Sequence, residues 1–317
     1  MKHIDKILLL PHPGAEDRDL IQRVADLALK NQAEVKVFHV IGGYPKDLRE
    51  WSNVRDAEQL RCAILEEKEP VLKHTVELLK ARGVERISWA IEWGTMYLEV
   101  VREVLKNRYD LVINSVLPTS RGNSRFSRRG FLSPSMDLFA HCPCAVWEAK
   151  VMSGPRSRRI VAAVGGQGGH VDCGPLNQKI LRYAADVADA DGSELHIVHA
   201  FAAEGTKEQG EDGPRQELTV QLEILHKDME EKCASLFVDY KTSPKRQQVH
   251  LLLGDPTMVI PAFARQQDVD LIVMGTISHH DVPGLSLGTT AEQVLERVNC
   301  GILAVKPDDF VSTVTLV

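Results

Sequence analysis

Short apolar runs alternate with longer amphipathic segments along the whole chain. Residues Ile7–Leu10 are uniformly apolar and are followed by Pro11, which predicts a buried strand that enters a loop. Apolar residues then recur at helical spacing over 20–28, and residues 35–40 alternate as a second strand. Strands and helices keep alternating, which predicts right-handed crossovers and parallel sheets with helices on both faces.

The same pattern predicts an equal series of elements in each half of the chain. In the first half, strands are predicted at 7–10, 35–40, 87–93, 110–114 and 145–149, with helices at 20–28, 57–82, 96–106 and 133–141. In the second half, strands are predicted at 160–164, 194–200, 248–253, 270–274 and 302–305, with helices at 175–190, 215–238, 256–266 and 289–298.

The second half repeats individual residues of the first half at an offset of 160 positions. The matching pairs include Asp26 and Asp186, Glu34 and Glu194, His39 and His199, Gly94 and Gly254, and Asp110 and Asp270. A repeat of this length is a whole domain rather than a solenoid unit. The sequence therefore predicts two domains, residues 1–152 and 153–317, and directs attention to the places where the copies differ.

Length and composition are those of a water-soluble protein with two independent cores. Each half of the 317 residues is long enough to bury a core, and 44% of the chain is hydrophobic. The six cysteines are scattered, and the N-terminal residues lack a long apolar stretch. The longest apolar runs are strand-sized and too short to span a membrane. We therefore expect a reduced, cytoplasmic protein.

Charge differs between the halves. Residues 1–152 hold 23 basic and 21 acidic side chains, whereas residues 153–317 hold 15 basic and 23 acidic ones, which accounts for the net charge of −6. Proteins that track nucleic-acid phosphates usually carry a basic surplus. Nucleic acid is therefore not expected as a main partner.

A glycine-containing loop in the second half has the composition of an anion site. It begins with Gly275 after the fourth predicted strand and ends with Gly288, Thr289 and Thr290 at the start of a helix. Glycines expose backbone N–H groups, and hydroxyls and the positive end of a helix dipole also favour phosphate. The structural alternative is a capped helix that follows a tight loop.

This loop resembles that of the universal stress protein family. Its nucleotide-binding members carry Gly, two residues, Gly, nine residues and then Gly-Ser or Gly-Thr. Gly275, Gly288 and Thr289 match this spacing, whereas Ser278 replaces the second glycine. The segments Gly254-Asp-Pro256 and Cys300–Pro307 resemble further landmarks of the family. The resemblance covers nearly the whole chain in duplicate, as in tandem two-domain members.

The resemblance implies both a fold and a ligand site. Each domain is expected to hold a five-stranded parallel sheet of order 3-2-1-4-5, and the two domains are expected to pack as an internal pseudo-dimer. A further homo-dimer is left open. In ATP-binding members the triphosphate lies on the glycine loop, and an Asp after the first strand and the end of the second strand hold the ribose and base. The nucleotide-binding residues carried over are Gly165, Ala200, Met274, Gly275, Ser278, Gly288, Thr289 and Thr290.

Two departures from the family pattern weaken ribose recognition. Gly165 stands where those members have the acidic residue, in a loop that reads Gly165–Gly169. Ser278 needs a backbone angle compatible with a side chain, since positive φ is uncommon outside glycine. A serine still offers its N–H and a hydroxyl. Phosphate binding is therefore expected more strongly than adenine specificity.

The first copy departs further from the family. Gly130 aligns with Gly288 once two residues are inserted, but Ser115 replaces the first glycine and Phe131 replaces the threonine. His12 stands at the position of the carboxylate. We therefore expect no family-like ATP site in the first domain.

Four arginines suggest another interpretation of the first-copy loop. They are Arg121, Arg125, Arg128 and Arg129. Guanidinium groups bind phosphates and carboxylates through paired hydrogen bonds, so this loop is a candidate anion site. The alternative is a solvated basic loop, or one that pairs with the acidic second half.

Catalytic and metal signatures are weak. No arrangement of nucleophile, base and acid is recognisable, and His280 and Asp281 are the only local candidates for a hydrolytic base. The cluster His141–Cys144 lacks further ligands at metal-site spacing, so no metal site is predicted.

The resemblance and the loop together predict a non-enzymatic stress-response protein that binds a small phosphorylated ligand in its second domain. ATP or a related nucleotide is the expected ligand, and the first domain would then serve as the structural partner. Two alternatives stay open. One is an interaction or scaffold protein with two vestigial sites, and the other is a slow ATP hydrolase.

Overall fold

The protein is described by a computed structural model over most of its length. The described residues are 4–12, 18–42, 54–117, 134–150, 158–167, 170–171, 174–201, 223–224, 226–231, 247–276 and 287–316. The chain divides into two units, one formed by residues 1–154 with 310–317 and the other by residues 155–309. The domain boundary between residues 152 and 153 and the pairing of the two domains stay predictions.

The first unit contains a five-stranded parallel sheet. Its elements are β1 (Lys6–Leu10), α1 (Arg18–Asn31), β2 (Glu34–Ile41), α2 (Val54–Ala81), β3 (Ile87–Trp93), α3 (Met96–Asn107), β4 (Leu111–Val116), α4 (Pro134–His141) and β5 (Ala145–Lys150). The strands lie side by side in the order β3, β2, β1, β4, β5, and each neighbouring pair is parallel. The predicted order 3-2-1-4-5 is confirmed in this unit.

The second unit repeats this topology. Its elements are β6 (Arg159–Val164), β7 (Gly166–Gln167), β8 (His170–Val171), α5 (Pro175–Asp191), β9 (Glu194–Phe201), α6 (described over 226–231), β10 (Gln247–Leu253), α7 (Pro256–Gln266), β11 (Leu271–Gly275), α8 (Thr289–Arg297) and β12 (Gly301–Val305). The strand order is β10, β9, β6, β11, β12, again 3-2-1-4-5 within the unit. The short strands β7 and β8 form an antiparallel pair that the pattern did not predict.

Burial explains why the central strands are continuous apolar runs. Leu111–Ile113 in β4 and Leu271–Val273 in β11 are fully buried, because helices cover both faces of each sheet. Helix α1 instead buries one stripe that includes Leu20, Val24 and Leu27. Over the described part of the chain, none of the helices combines the length and apolar character that a membrane crossing requires.

A repeated aspartate ties the first strand of each unit to the fourth. The Oδ2 atom of Asp110, just before β4, accepts hydrogen bonds from the backbone N–H groups of Asp5 at 2.8 Å and Lys6 at 2.9 Å. Asp270 repeats the contact before β11 by accepting from the N–H of Arg158 at 3.0 Å. These carboxylates therefore bind backbone donors at the start of the first strand of each unit, which explains why both copies retain the residue.

A repeated glycine joins the ends of the second and third strands. Gly94 and Gly254 have φ angles of +148° and +134°. The N–H of Gly94 donates to the carbonyl of Ile41 at 3.1 Å, and that of Gly254 donates to the carbonyl of Phe201 at 2.9 Å. A side chain would be strained at this φ, so the backbone geometry accounts for the glycine in both copies.

The C-terminal residues belong to the first unit, where they contact the end of α4. The Ser312 hydroxyl donates to the carbonyl of His141 at 2.7 Å, and Thr313 Oγ1 lies 2.9 Å from His141 Nδ1. Ser312 thus satisfies one of the carbonyls that a helix end leaves without an intrahelical partner.

Two histidines hydrogen-bond to each other in the second unit. His196 Nδ1 on β9 lies 3.0 Å from His250 Nε2 on β10, and the rings stack with centroids 5.2 Å apart. Phe263 of α7 contacts both rings. Burial lowers the pKa of both imidazoles. Arg159 lowers that of His196 further while Glu194 opposes the shift, and His196 and His226 lower that of His250.

This pair predicts that the second unit loses stability in mild acid. The unfolded histidines take up protons near pH 6.5, whereas the folded pair resists protonation. The stabilisation is therefore complete above that pH and is lost as the pH falls toward the lower folded values. Urea unfolding between pH 7.5 and 5 should show this dependence, and His250→Gln should make it shallower. The control His74→Gln, at an exposed position of α2, should retain the wild-type slope.

Removing the aspartate contact should destabilise the first unit. Asp110→Ala leaves two backbone N–H groups without their acceptor, and the loss should be about 1–3 kcal/mol in the free energy of unfolding. Urea denaturation measures this change. Asp309→Ala, at an exposed position after β12, is the matched control and should shift stability by less than about 0.5 kcal/mol. Equal effects of the two substitutions would contradict the structural role of Asp110.

Candidate functional site

The predicted nucleotide residues gather at the carboxyl edge of the sheet in the second unit. They lie at the ends of the neighbouring strands β6 and β11. The chain continues from β6 to β9 on one side and from β11 to β12 on the other, so this is the topological switch point of a doubly wound sheet. Strand register places Val164 opposite His199 and Ala163 opposite Met274. The residues that this edge brings together are Gly165, Ala200, Met274, Gly275, Gly288, Thr289 and Thr290. Ser278 lies outside the described residues.

Helix α8 begins at this edge without a side-chain cap. Its N-cap residue, Gly288, has φ −74° and ψ 144° and makes no side-chain capping hydrogen bond. The N–H of Gly288 donates to the carbonyl of Thr276 at 2.8 Å, so the helix start is held against the end of β11. Thr289 and Thr290 are exposed. The first N–H groups and the positive end of the helix dipole are therefore suited to an anion.

Thr276 carries a fully buried hydroxyl beside this helix start. Its Oγ1 atom has no hydrogen-bond partner among the described residues. Buried polar groups normally find a partner in the protein, in water or in a ligand. The sequence analysis did not single out Thr276, because a threonine that follows an apolar strand has no distinctive pattern.

The side chain of Thr276 lies on the same face of the sheet as α8. A Cβ atom at the preceding residue, Gly275, would point at α5 and lie 2.9 Å from Leu176 Cδ2. Thr276 is the next residue after β11, and the alternation of the strand carried one residue further directs its side chain away from α5. Helix α5 connects β6 to β9, and α8 connects β11 to β12, which lies on the other side of β6 in the sheet. Because both connections are right-handed but run in opposite directions across the sheet, α8 lies on the face opposite to α5.

The side chain of Asn177 hydrogen-bonds to both backbone groups of the residue that follows β6. The N–H of Gly165 donates to Asn177 Oδ1 at 3.0 Å, and Asn177 Nδ2 donates to the carbonyl of Gly165 at 2.7 Å. One residue earlier, His199 Nδ1 lies 3.1 Å from the carbonyl of Val164. Both side chains are buried. Asn177 was missed from the sequence, although an asparagine in the first turn of a helix is a weak signal of a side-chain contact to backbone.

Packing does not require a glycine at position 165. Among the described residues, no atom lies within 4 Å of the place where its Cβ would be, and Gly165 itself is exposed. The family resemblance implies an acidic residue at position 165, and packing against the described residues would allow a side chain there. By contrast, a Cβ at Gly275 would meet α5, so this glycine has a packing role in addition to its place in the motif.

In the first unit a side-chain hydrogen bond joins the corresponding elements. Asn114 Nδ2 at the end of β4 donates to Ser135 Oγ in α4 at 3.2 Å, and both residues are buried. Ser115, at the place of the first glycine, is also buried. Polar groups of the strand end and helix thus bond to each other here. Arg121, Arg125, Arg128, Arg129 and Gly130 lie outside the described residues, and the proposed arginine site stays a prediction.

Metal-ligand and acid–base groups do not converge at the described part of either edge. Within the described ranges, no three His, Cys, Asp or Glu side chains are grouped to hold a metal ion. Cys142 Sγ and Cys144 Sγ lie 3.5 Å apart, and burial raises the pKa of the Cys144 thiol, as expected for structural thiols. His280 and Asp281 lie outside the described residues.

The duplicated fold and the partial glycine motif define a tandem α/β protein with one candidate anion site. The chain belongs to the universal stress protein family, whose model matches residues 4–150 and 169–306. Over its whole length it is similar to universal stress protein E of Salmonella typhi, at 22% identity over 100% of this chain and 98% of the relative. The same protein of Escherichia coli K12 is 21% identical over the same shares. The predicted tandem membership of this family is therefore confirmed, and the similarity over the whole chain is to the E type.

Solved structures agree on the fold. A functionally unknown protein of Pseudomonas aeruginosa PAO1 is 22% identical, with a TM-score of 0.62, and the match covers 97% of this chain and 94% of that one. A universal stress protein of Archaeoglobus fulgidus is 22% identical, with a TM-score of 0.61 over 96% of this chain and 97% of that one. The α/β class with two tandem family domains is therefore confirmed.

Two glycines beside the site should respond differently to alanine. At Gly254 a Cβ would lie 2.8 Å from Val259 Cγ1, and φ is positive, so Gly254→Ala should lower the free energy of unfolding by about 1–3 kcal/mol. At Gly165 the space is open, so Gly165→Ala should change it by less than about 0.5 kcal/mol. Urea denaturation of both variants measures the difference. Equal losses would show that the end of β6 is more tightly constrained than the structure indicates.

Proposed function

We propose that the protein is a non-enzymatic stress-response protein whose second unit binds a small phosphorylated ligand such as ATP. One observation carries the proposal. The buried Thr276 hydroxyl has no described partner and lies beside the uncapped N-terminus of α8. A phosphate oxygen can accept hydrogen bonds both from that hydroxyl and from the first N–H groups of the helix.

Electrostatics support an anion at this position. The aligned peptide dipoles of α8 place roughly half a positive charge at its N-terminus. Glu292 in the first turn already interacts favourably with that charge. A phosphorylated ligand would add the direct N–H hydrogen bonds that an acidic side chain of the same helix turn does not make. Thr276, Thr289 and Thr290 are the described residues that would hold the phosphate.

The described groups favour binding over catalysis. They are hydroxyls and backbone N–H groups, which stabilise an anion but do not remove a proton from water at neutral pH. The imidazole at this edge, His199, is buried and contacts the carbonyl of Val164. We therefore assign no catalytic residue and propose no turnover.

A scaffold role is the second candidate, and the first unit supports it. The buried Asn114–Ser135 hydrogen bond joins β4 to α4 in the first unit. The first unit then contributes structure rather than a family-type ligand. If the second site were vestigial as well, the protein would act only through its surfaces.

Gly288→Val should abolish stabilisation by ATP. The N-cap φ and ψ are accessible to valine, so the fold should persist, while the added side chain crowds the phosphate at the helix start. At ATP concentrations 100-fold above Kd, the wild type should gain about 2.7 kcal/mol, seen as a rise in Tm. The matched control is Gly130→Val in the first copy, which should leave this rise unchanged.

Two outcomes would contradict the proposal. If native mass spectrometry of freshly purified protein finds no bound small molecule and ATP does not raise Tm, the scaffold role replaces ligand binding. If Gly288→Val retains the full rise, the ligand lies elsewhere in the protein.

A further inference from the structure

The contact between His196 and His250 depends on their protonation. A neutral imidazole has one N–H donor and one acceptor nitrogen, so the two rings can share one hydrogen bond across the 3.0 Å between His196 Nδ1 and His250 Nε2. A fully protonated pair has only N–H groups, and two of them would face each other. His196 is 3% exposed, so a positive charge on its ring would also lose most of its hydration. Protonation therefore weakens this contact.

The described groups around the histidine pair favour its neutral form. Burial is the largest effect and lowers the pKa of both imidazoles. Glu194 of β9 raises the pKa of the β9 imidazole and Arg159 of β6 lowers it. His226 of α6, whose Nδ1 lies 3.7 Å from Glu230 Oε1, lowers the pKa of the β10 imidazole, as does the β9 ring itself. From α7, the uncharged ring of Phe263 faces both imidazoles.

Helix α7 packs on the histidine pair at one turn and holds α8 at another. The ring centroid of Phe263 lies 4.8 Å from that of His250 and 6.0 Å from that of His196. About two turns earlier, Thr257 accepts hydrogen bonds from Arg297 Nη1 in the last turn of α8, at 2.8 Å to its carbonyl oxygen and 3.0 Å to its Oγ1. A helix is a rigid element over this length, so a displacement at Phe263 reaches α8.

Helices α7 and α8 both begin at the edge that carries the candidate site. The N-cap of α7, Asp255, accepts a hydrogen bond from the N–H of Thr257 at 2.8 Å, directly after the glycine that joins the ends of β9 and β10. Helix α8 begins after Gly288, beside the Thr276 hydroxyl. A phosphate held by that hydroxyl and by the first N–H groups of α8 needs both within about 3 Å of its oxygens. A shift of α8 therefore weakens phosphate binding.

We propose that mild acid lowers the affinity of the second unit for its phosphorylated ligand, because protonation of the His196–His250 pair displaces α7 and with it α8. This inference rests on the proposed phosphate binding and assigns a regulation to that same site. The ordinary pKa of histidine is 6.5, and burial lowers it in the folded pair. The ligand affinity is therefore complete well above pH 6.5 and falls as the pH decreases below it. By linkage, the bound ligand opposes protonation of the pair.

Calorimetric titration of the full-length protein with ATP at pH 7.5 and pH 5.5 tests this regulation. The wild-type affinity should fall by at least about fivefold more than that of His250→Gln, since couplings between sites are usually of this size or larger. The phosphates of ATP also take up protons in this range, but that effect is common to all variants. The matched control is His74→Gln, at an exposed position of α2, which should keep the wild-type ratio. Circular dichroism at both pH values confirms that each protein is folded.

A second variant tests the route through α7 and α8. Arg297→Met removes the hydrogen bonds to Thr257 and leaves both histidines in place. Its urea unfolding should keep the wild-type dependence on pH. The dependence of its ATP affinity on pH should shrink to within about twofold of that of His250→Gln, because the two changes interrupt the same route.

Amide hydrogen exchange of the wild-type protein provides a measurement without any substitution. Exchange rates at pH 7.5 and pH 5.5 are corrected for the intrinsic effect of pH on unprotected amides. Amides of α7 and of the first turn of α8 should then lose at least about fivefold more protection in acid than those of α5, which covers the opposite face of the sheet.

The outcomes separate the two proposals. Equal losses of ATP affinity in the wild type and His250→Gln, or unchanged protection of α7 in acid, would overturn the regulation and leave phosphate binding intact. If ATP does not bind at pH 7.5, the proposed function fails, and the regulation of that site fails with it.

Discussion

In each unit, backbone N–H groups at the start of the first strand donate hydrogen bonds to a repeated aspartate, and these bonds organise the sheet. Asp110 and Asp270 stand before the fourth strand and bind backbone N–H groups at the start of the first strand. The first and fourth strands are the neighbours at which the connections reverse direction. The carboxylate therefore holds the pair of strands whose opposite ends form the candidate ligand crevice. The position of the crevice depends on this register, which explains why a structural residue persists where the site residues have diverged.

The same strand edge carries different polar groups in the two units. In the second unit the helix start is left without a side-chain cap, and a buried hydroxyl lies beside it. In the first unit, Asn114 and Ser135 bond to each other across the corresponding elements. A buried polar pair that is mutually satisfied has little to offer a ligand, whereas unsatisfied donors favour one. Among the described residues, the two edges differ in which polar groups are hydrogen-bonded within the protein.

Much of the fold could be predicted from periodicity, because burial on both faces makes parallel strands continuous apolar runs. The order of the strands came from the family resemblance and not from the pattern. The antiparallel pair of β7 and β8 was missed, since two-residue strands carry no period. The His196–His250 contact was also missed, because these residues lie 54 positions apart and meet only through the pairing of β9 with β10.

By itself, the sequence determined the duplication, the alternating elements, the loss of the acidic residue at Gly165 and the retention of Gly288 and Thr289, since these depend on residue type and spacing. Only the tertiary structure decided which polar groups are already hydrogen-bonded within the protein. Asn177 hydrogen-bonds to the N–H and the carbonyl of Gly165, whereas the Thr276 hydroxyl is buried beside α8 without a described partner. Hydrogen-bond saturation is a property of atoms brought together by packing, so no local pattern of residues encodes it.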